Sequence, residues 1–306
     1  MEITAKMVAD LRAQTGSGMM DCKKALKEAD GDFDAAIKIL REKGISVAAK
    51  KADRIAAEGL VDILSENGVT AMIEVNSETD FVAKNEEFKK FVRGLLATII
   101  ACRPADVEAL KACKFNGGDN TVADELVEKI ATIKENMTIR RFVIVDGTVS
   151  TYIHGNGATG VIVLFDADDA AKNAEGFGEY AKNIALQVAG MNPIYALKAD
   201  VPQSVIDEEK EIRLTQIKND PKNASKPEAI IEKMINGAIE KYYSQNVLTE
   251  QEYFKEEKMT IQQYTDNSAK AFGGKIAIKA FWCFNKGEGL QKREDNFAEE
   301  IASLIK

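Results

Sequence analysis

A glycine-rich run follows the chain's one histidine, and its spacing matches a nucleotide-binding pattern. Residues 155–160 read Gly-Asn-Gly-Ala-Thr-Gly, which fits the G-x-G-x-x-G signature of dinucleotide-binding loops. That chemistry needs a helix directly after the glycines, because the N–H groups at a helix N-terminus hold the pyrophosphate. Residues 161–165 are instead Val-Ile-Val-Leu-Phe, which is typical of a strand. The sequence therefore predicts a glycine-rich hairpin loop here.

His154 lies at the expected strand end just before this loop, and the sequence leaves its role open. It could cap the loop as a structural residue. It could also contact a partner, because a loop with glycine at three of six positions lets a partner's backbone come close. A third alternative is an enzyme that uses His154 together with Asp166 or Asp168.

An acid next to an aromatic side chain, Asp80-Phe81, stands where the chain must turn. The preceding run at 69–75 alternates in part like a strand, and we expect it to end at the turn-forming residues Asn76 and Ser77. Nothing nearby has the chemistry of a nucleophile or a metal site. A short tip that carries Asp and Phe suits insertion into another molecule better than bond making.

The start of the next helix decides what Phe81 does. If the helix begins near Thr79, Phe81 shares a face with Phe88, seven residues later, and packs inward. If Asn85 is the N-cap, with two acids in the first turn, Phe81 lies outside the helix. The residues alone favour neither arrangement, and Asp80 is correspondingly a first-turn acid or a probe.

Two adjacent methionines, Met19 and Met20, stand at another expected helix start. Helical spacing can bury one of them, and the other should be at least partly exposed. Exposed methionine is typical of an adaptable binding surface, because the side chain is flexible and polarizable. In so small a group of helices, burial of both is the alternative.

Composition narrows the class of protein. The 306 residues are 45% hydrophobic and 29% charged, which is typical of a globular chain with more than one domain. No apolar run approaches ~18 residues, so we expect no transmembrane helix, and the N-terminus does not resemble a signal peptide. The spacing of the four cysteines fits neither a zinc site nor a disulfide framework, which indicates a cytoplasmic protein. We expect no cofactor.

The net charge of −8 argues against a general nucleic-acid surface, which is normally basic. A protein that binds RNA or the ribosome through its N-terminal helices is therefore a disfavoured alternative. With a single histidine, a metal site built from several histidines is excluded.

Hydrophobic periodicity predicts an α+β fold with antiparallel sheets. Three short helices come first, the third ending at Gly44, and a basic linker follows at 48–52. A hairpin turning at Asn67-Gly68 precedes a helix with one apolar face, and further helices lie near 105–112 and 122–135. That face carries Phe88, Phe91, Val92, Leu95 and Ile99.

The second half of the chain repeats this order less regularly. We expect a second set of strands at 138–145, 148–154 and 160–165, and a helix at 172–189. A helical hairpin at 203–246, one apolar strand at 275–284 and a helix at 294–305 follow. The predicted domains are a three-helix unit with linker (1–54), two halves of an α+β core (55–140; 141–202 with 247–286), a coiled-coil hairpin (203–246) and a C-terminal module (287–306).

Three motifs in this order resemble the signatures of the bacterial elongation factor Ts family. Residues 19–26, Met-Met-Asp-Cys-Lys-Lys-Ala-Leu, follow Thr-Gly-Ser-Gly and are similar to its N-terminal signature. Glu-Val-Asn at 74–76 with Thr-Asp-Phe-Val-Ala at 79–83 is similar to a second, and Tyr-Ile-His-Gly at 152–155 to a third. The match covers nearly the whole chain. It departs at Ala158 and Thr159, where we expect an arginine and an aliphatic residue, and at 101–120, which looks expanded.

The resemblance implies a guanine nucleotide exchange factor for the GTPase elongation factor Tu, and not an enzyme. It implies a ubiquitin-associated-like three-helix domain, a two-part core, a protruding coiled coil and a C-terminal helical module. No direct contact with nucleic acid or a membrane is expected, and a homodimer or a 2:2 complex is left open. The family's pattern places Thr79, Asp80, Phe81 and Val82 near the Mg²⁺ site of the GTPase, with further contacts from Met19, Met20, His154 and Gly155.

Overall fold

The computed structural model describes residues 2–220 and 226–291. Within these ranges the chain has twelve α-helices and two antiparallel three-stranded sheets, which confirms the predicted α+β class. The terminal helix expected at 294–305 lies outside the described residues, as does most of the predicted C-terminal module.

Three helices open the chain: α1 (Ala5–Thr15), α2 (Met19–Glu28) and α3 (Phe33–Lys51). The Thr4 hydroxyl caps α1 by accepting a hydrogen bond from the Met7 N–H, and the Asp32 carboxylate caps α3 in the same way. The helices share one small apolar core. Its buried members are Val8, Leu11, Cys22, Ala25, Leu26 and Ala36.

The first sheet has the order β1 (Glu58–Glu66), β2 (Val69–Ser77) and β3 (Met137–Asp146). The predicted hairpin is confirmed: Asn67 and Gly68 both have positive φ, 51° and 78°, as the tight turn between β1 and β2 requires. We expected β3 in the second set of strands, but it pairs with β2 along its whole length. The predicted domain boundary at 140 and 141 therefore falls inside a strand of the first sheet.

Helices cover one face of this sheet: α4 (Asp80–Lys84), α5 (Glu86–Cys102), α6 (Val107–Ala112) and α7 (Val122–Ile133). All five apolar residues predicted for one face of α5 are buried. They pack on Ile73 and Val75 of β2 and on Met137 and Ile139 of β3. That contact explains the placement of β3, whose apolar residues complete the core beneath α5.

The third helix does not end at Gly44, as the sequence suggested, but continues to Lys51 and absorbs most of the predicted linker. Gly44 faces α7, and a Cβ atom added there would lie 3.5 Å from the Cβ of Ala131. An alanine would make only an ordinary van der Waals contact there, and α3 packs along α7 around this position. This tertiary contact overrides the intrinsic cost of about 1 kcal/mol for glycine within a helix.

The second sheet has the order β4 (Thr148–His154), β5 (Thr159–Ala167) and β6 (Ile276–Asn285). The predicted apolar strand at 275–284 is confirmed as β6. The single helix expected at 172–189 is divided into α8 (Asp169–Lys172) and α9 (Phe177–Met191). Gly176, with φ of 97°, lies between them in the left-handed region that glycine adopts readily.

Between α9 and the last strand the chain forms α10 (Gln203–Asn219), α11 (Glu228–Asn246) and α12 (Ile261–Phe272). The first two are neighbours and share an apolar cluster that includes Ile206, Ile235 and Ile239. α12 joins α9 over the second sheet. Among the described residues, none of the helices combines the length and apolar character needed to cross a membrane.

The two sheets pack on each other through the faces that their helices leave uncovered. The buried contact joins Val61, Ile63, Met72 and Val145 of the first sheet to Ile162 and Phe284 of the second. Gly160 at the start of β5 permits this approach: a Cβ there would lie 2.5 Å from Val61 Cγ1 and 2.9 Å from Met72 Sδ. The layers therefore run α5, first sheet, second sheet, α9.

Gly160→Ala should lower the free energy of unfolding by roughly 1–3 kcal/mol, because the added methyl group overpacks the contact between the sheets. Urea denaturation measures this change. The matched control is Gly237→Ala within α11, where no atom beyond the chain neighbours and the helix's own backbone lies within 4 Å of the added carbon. It should raise stability by roughly 0.5–1 kcal/mol, since alanine favours helix more than glycine does. Equal unfolding midpoints for wild type and Gly160→Ala would contradict this account of the interface.

Candidate functional site

The second strand does not end at Asn76 and Ser77, as expected, but includes both of them, and both are buried. The side chain of Asn76 explains its place in the strand. Its Nδ2 donates to the Glu58 carbonyl at 3.0 Å and to Glu74 Oε1 at 3.1 Å. The chain turns only after Ser77, so the segment at 79–82, called the tip from here on, starts from a fully paired strand.

Three side chains fix the base of the tip. Glu135, just after α7, accepts a hydrogen bond from the Thr79 hydroxyl at 2.6 Å and another from the Thr79 N–H at 3.0 Å. The Ser77 hydroxyl donates to the Thr79 carbonyl at 2.9 Å. The Glu78 carboxylate accepts from the Asn136 N–H at 2.6 Å. Sequence reasoning missed Glu135 and Glu78, because the contacts span 56 and 58 residues.

Both alternatives for the helix start are partly right. Thr79 precedes the short helix α4, while Asn85 is the N-cap of α5 and accepts a hydrogen bond from the Glu87 N–H at 2.8 Å. Phe81 consequently lies outside α5. Its side chain is 79% exposed, whereas Phe88 on α5 is fully buried.

The two neighbours of Phe81 differ in environment. Val82 is buried in the core beneath α5 and attaches the tip to it. Asp80 is about half exposed and pairs with Lys84 at 2.5 Å. The hydrogen bond from Lys84 lowers the pKa of Asp80, so this acid is ionised at neutral pH. The Lys84 ammonium also lies 5.8 Å from the centre of the Phe81 ring.

The glycine-rich run is a hairpin loop between β4 and β5, as predicted, and no helix follows it. Gly155, Asn156 and Gly157 all have positive φ, at 59°, 53° and 94°. His154 pairs with Thr159 across the start of the loop and is exposed. Its ring Nδ1 lies 2.9 Å from the Tyr152 hydroxyl. The imidazole is thus oriented by its own strand and presented to the outside.

The acids proposed as catalytic partners are not near this histidine. Asp166 lies seven residues along β5 from the position opposite His154, which is roughly 23 Å of strand. Asp168 caps α8 and accepts hydrogen bonds from the Ala171 and Lys275 N–H groups, both at 2.9 Å. The structure therefore does not assemble the enzyme site that the sequence left open.

A groove of about 510 Å³ separates the tip from residues 155–158, called the glycine loop below. One wall carries Asp80 and Lys84, and the other carries Ile153 and the glycine loop. The floor is the start of β1, where the Val61 N–H donates to the Gly157 carbonyl at 2.8 Å. The two predicted contact regions thus lie on either side of one groove.

The two methionines lie elsewhere, at the first turn of α2. Met19 is 58% exposed and Met20 is 63% exposed, so the expectation that at least one is exposed is confirmed, and burial of both is excluded. The inner side of α2 is already occupied by Cys22, Ala25 and Leu26. Both methionine side chains are therefore available to a partner.

A buried carboxylate lies beneath the tip, at the contact between the two sheets. Glu74 of β2 is fully buried and pairs with Arg140 at 2.9 Å and Arg141 at 2.7 Å, both on β3. Burial raises the pKa of Glu74, but the hydrogen bonds to its two oxygens outweigh that effect. The net pKa lies below the ordinary value, and Glu74 is ionised at neutral pH.

In residues 2–220 and 226–291, no group of three or more His, Cys, Asp and Glu side chains could hold a metal ion.

Thr79→Val should lower the free energy of unfolding by roughly 1–2 kcal/mol, because it removes the hydroxyl that donates to the Glu135 carboxylate. Urea denaturation followed by circular dichroism measures the loss. Thr138→Val is the matched control, since Thr138 is an exposed residue of β3, and its effect should stay within about 0.5 kcal/mol. If the two substitutions had the same effect, the Glu135 contact would not hold the tip.

Comparison with known proteins agrees with the motifs. The profile of the family described as "Elongation factor TS" matches residues 78–288. Elongation factor Ts of Syntrophotalea carbinolica is 46% identical over 309 aligned residues, which cover 100% of both chains. The proteins of that name from Clostridium kluyveri and Clostridioides difficile are 46% and 44% identical, over 99% of each chain. With a family match over more than half of its length and relatives that align from end to end, this chain belongs to the elongation factor Ts family.

Proposed function

We propose that this translation elongation factor is a guanine nucleotide exchange factor for elongation factor Tu, and that it acts by binding and not as an enzyme. The partner follows from the family. The observation that carries the mechanism is Phe81, a large aromatic side chain left 79% exposed on a base that Glu135 holds. An exposed aromatic residue on an anchored tip suits insertion into a partner's pocket.

The proposed mechanism is thermodynamic coupling. GDP and Mg²⁺ help to hold one conformation of the GTPase, and a factor that binds the nucleotide-free state better lowers nucleotide affinity by the same ratio. Phe81 acts as a wedge that displaces side chains around the Mg²⁺ site. Asp80 adds a negative charge next to that site and disturbs the balance of charges around the ion.

The free energy needed for exchange exceeds what insertion of the tip can supply, so other contacts must contribute. An acceleration of ~10⁴ requires about 5.5 kcal/mol of differential binding at the barrier. Burial of one phenylalanine side chain contributes roughly 1.5–3 kcal/mol. The remainder comes from a wider contact, in which we include His154, Gly155, Met19 and Met20. We also propose that the paired helices α10 and α11 form a protruding coiled coil that contacts the GTPase. We place the exchange activity in the cytoplasm.

Phe81→Ala should lower the maximal rate of GDP release strongly while leaving measurable binding, because the wedge is lost and the flanking contacts remain. The measurement is release of mant-GDP from elongation factor Tu at saturating factor. Binding is measured separately with nucleotide-free GTPase. A release rate equal to that of wild type would exclude the wedge role.

Phe254→Ala serves as the matched control for this experiment. Phe254 is another exposed phenylalanine, and its N–H donates to Gln187 of α9 in the helical layer over the second sheet. Its release rate at saturation should stay within about twofold of wild type, the range of a substitution outside the main energetic contacts. An equal loss for both variants would indicate a general effect of removing exposed aromatic surface.

The methionines of α2 should affect affinity and not the maximal rate, because they lie in the N-terminal unit and not on the tip. Met19→Ser combined with Met20→Ser should raise the half-saturating concentration about tenfold, equivalent to 1.4 kcal/mol of binding energy. The mant-GDP titration with elongation factor Tu reports both quantities. A lowered rate at saturation, with an unchanged midpoint, would contradict this division of roles.

A further inference from the structure

We infer that Glu74 is a positioning residue that aligns the tip with the glycine loop, and so sets the geometry with which the factor engages its GTPase. This inference rests on the proposed exchange function. It concerns a side chain that is fully buried and therefore touches no partner.

The two contact regions belong to different sheets, so their spacing depends on how the sheets meet. The tip continues from β2, and the glycine loop joins β4 to β5. Most of the contact between the sheets is apolar, with Met72 on one side and Ile162 and Phe284 on the other. Apolar burial is strong but non-directional, and it does not by itself set a register between two surfaces.

Glu74 supplies directional contacts at this interface. Its Oε1 accepts hydrogen bonds from Arg140 at 2.9 Å and from the Gly287 N–H at 2.8 Å, while Oε2 accepts from Arg141 Nε at 2.7 Å. Charge-assisted hydrogen bonds of this kind have a narrow range of geometry. One carboxylate thus joins β2 and β3 of the first sheet to the turn that follows β6 of the second.

The arginines reach the same turn directly. Arg141 donates to the Asn285 carbonyl at 3.3 Å and to Glu288 Oε2 at 3.2 Å, and its guanidinium lies 4.3 Å from the Phe284 ring centre. Arg140 donates to the Glu288 carbonyl. Gly287 also packs closely on Ala57, the residue before β1, because a Cβ atom added at Gly287 would lie 2.2 Å from the Ala57 carbonyl oxygen.

Short chains of contact lead from Glu74 to both functional regions. Toward the tip, Asn76 bridges Glu74 and the Glu58 carbonyl, and the chain then enters the turn held by Thr79. Toward the glycine loop, the Lys286 N–H donates to the Ala158 carbonyl at 2.8 Å. Thr159 also donates to Asn285 Oδ1 at 2.8 Å.

The side-chain amide of Asn76 is only partly paired, because, within the part of the chain that the structure describes, Nδ2 makes two hydrogen bonds and Oδ1 makes none. Among the described residues, the buried Oδ1 of Asn76 has no hydrogen-bond partner, an arrangement that is unfavourable for stability. The orientation of the amide is nevertheless the one in which Nδ2 bridges Glu74 and Glu58.

The test is Arg141→Lys, which keeps the positive charge beside Glu74 but removes the fork that also reaches the turn. The maximal rate of mant-GDP release from elongation factor Tu should fall about tenfold, since small displacements of reacting groups have large effects on rates. Combined with Phe81→Ala, the same substitution should change the rate by less than about twofold, because misalignment no longer matters once the wedge is absent.

Arg103→Lys is the matched control. Arg103, the residue after α5, forms a two-pronged pair with Asp146 at the end of β3, at 2.9 and 2.5 Å, and both side chains are about half exposed. Its release rate should equal that of wild type. Should Arg141→Lys fail to fold by circular dichroism, Arg140→Lys replaces it, because that change removes the contacts to Glu74 and to the Glu288 carbonyl.

Hydrogen exchange separates this inference from the proposed function. In Arg141→Lys, amides at 155–160 and 285–288 should exchange faster than in wild type, while those of α5 stay unchanged. Unchanged exchange at both segments, or equal rate losses with and without Phe81, overturns the positioning role. If wild type itself fails to accelerate GDP release, the proposed function is wrong, and the exchange data still decide whether Glu74 aligns the two regions.

Discussion

Burial of the central strands on both faces is the constraint on which this structure depends. In β2, Ile73 and Val75 face the helices, whereas Met72 faces the second sheet. In β5, Val161 and Val163 face α9, and Ile162 faces the first sheet. A sheet with apolar residues on both faces leaves apolar surface in water unless both faces are covered. Each sheet therefore needs both its helix layer and the other sheet.

The same constraint determines where polar residues are allowed. Glu74 and Asn76 are buried on the inter-sheet side of β2, where a charge without partners is costly. Protein groups pair with both Glu74 oxygens and with Asn76 Nδ2. Replacement of one arginine by a neutral residue would leave the buried Glu74 charge without compensation. Such a loss typically lowers the free energy of unfolding by roughly 3–5 kcal/mol. This requirement explains the two adjacent arginines of β3. Arg140 and Arg141 both pair with the Glu74 carboxylate, and both also reach the turn after β6.

Local sequence patterns were enough to predict most helices and strands and part of the candidate functional site. Period-2 and period-3.6 patterns located the strands and the buried face of α5, and Asn67-Gly68 located the hairpin. The continuation of α3 through Gly44 and the pairing of β3 with β2 depend on partners far along the chain, which local patterns do not reveal. Phe81 was undecided for the same reason: α4 exists because Val82 packs inward and Glu135 holds Thr79. The buried ion pair of Glu74 could have been predicted from β2. A nearly continuous apolar run indicates a strand that is buried on both faces, and an acid within such a strand needs a buried partner.

The environment of Phe81 also explains how an exposed aromatic side chain is compatible with a stable free protein. The exposed Phe81 ring contributes nothing to the core. The stability of the tip therefore depends on Val82 and on the Glu135 contacts behind it. Lys84 pairs with Asp80 and lies near the Phe81 ring, which gives the free tip internal contacts in place of a partner. These contacts are solvent-exposed and therefore weak, so a partner that supplies better ones can replace them at small cost. A rigid base with a weakly engaged surface is thus a physical arrangement that favours insertion, because little ordering or disruption is needed when the tip binds.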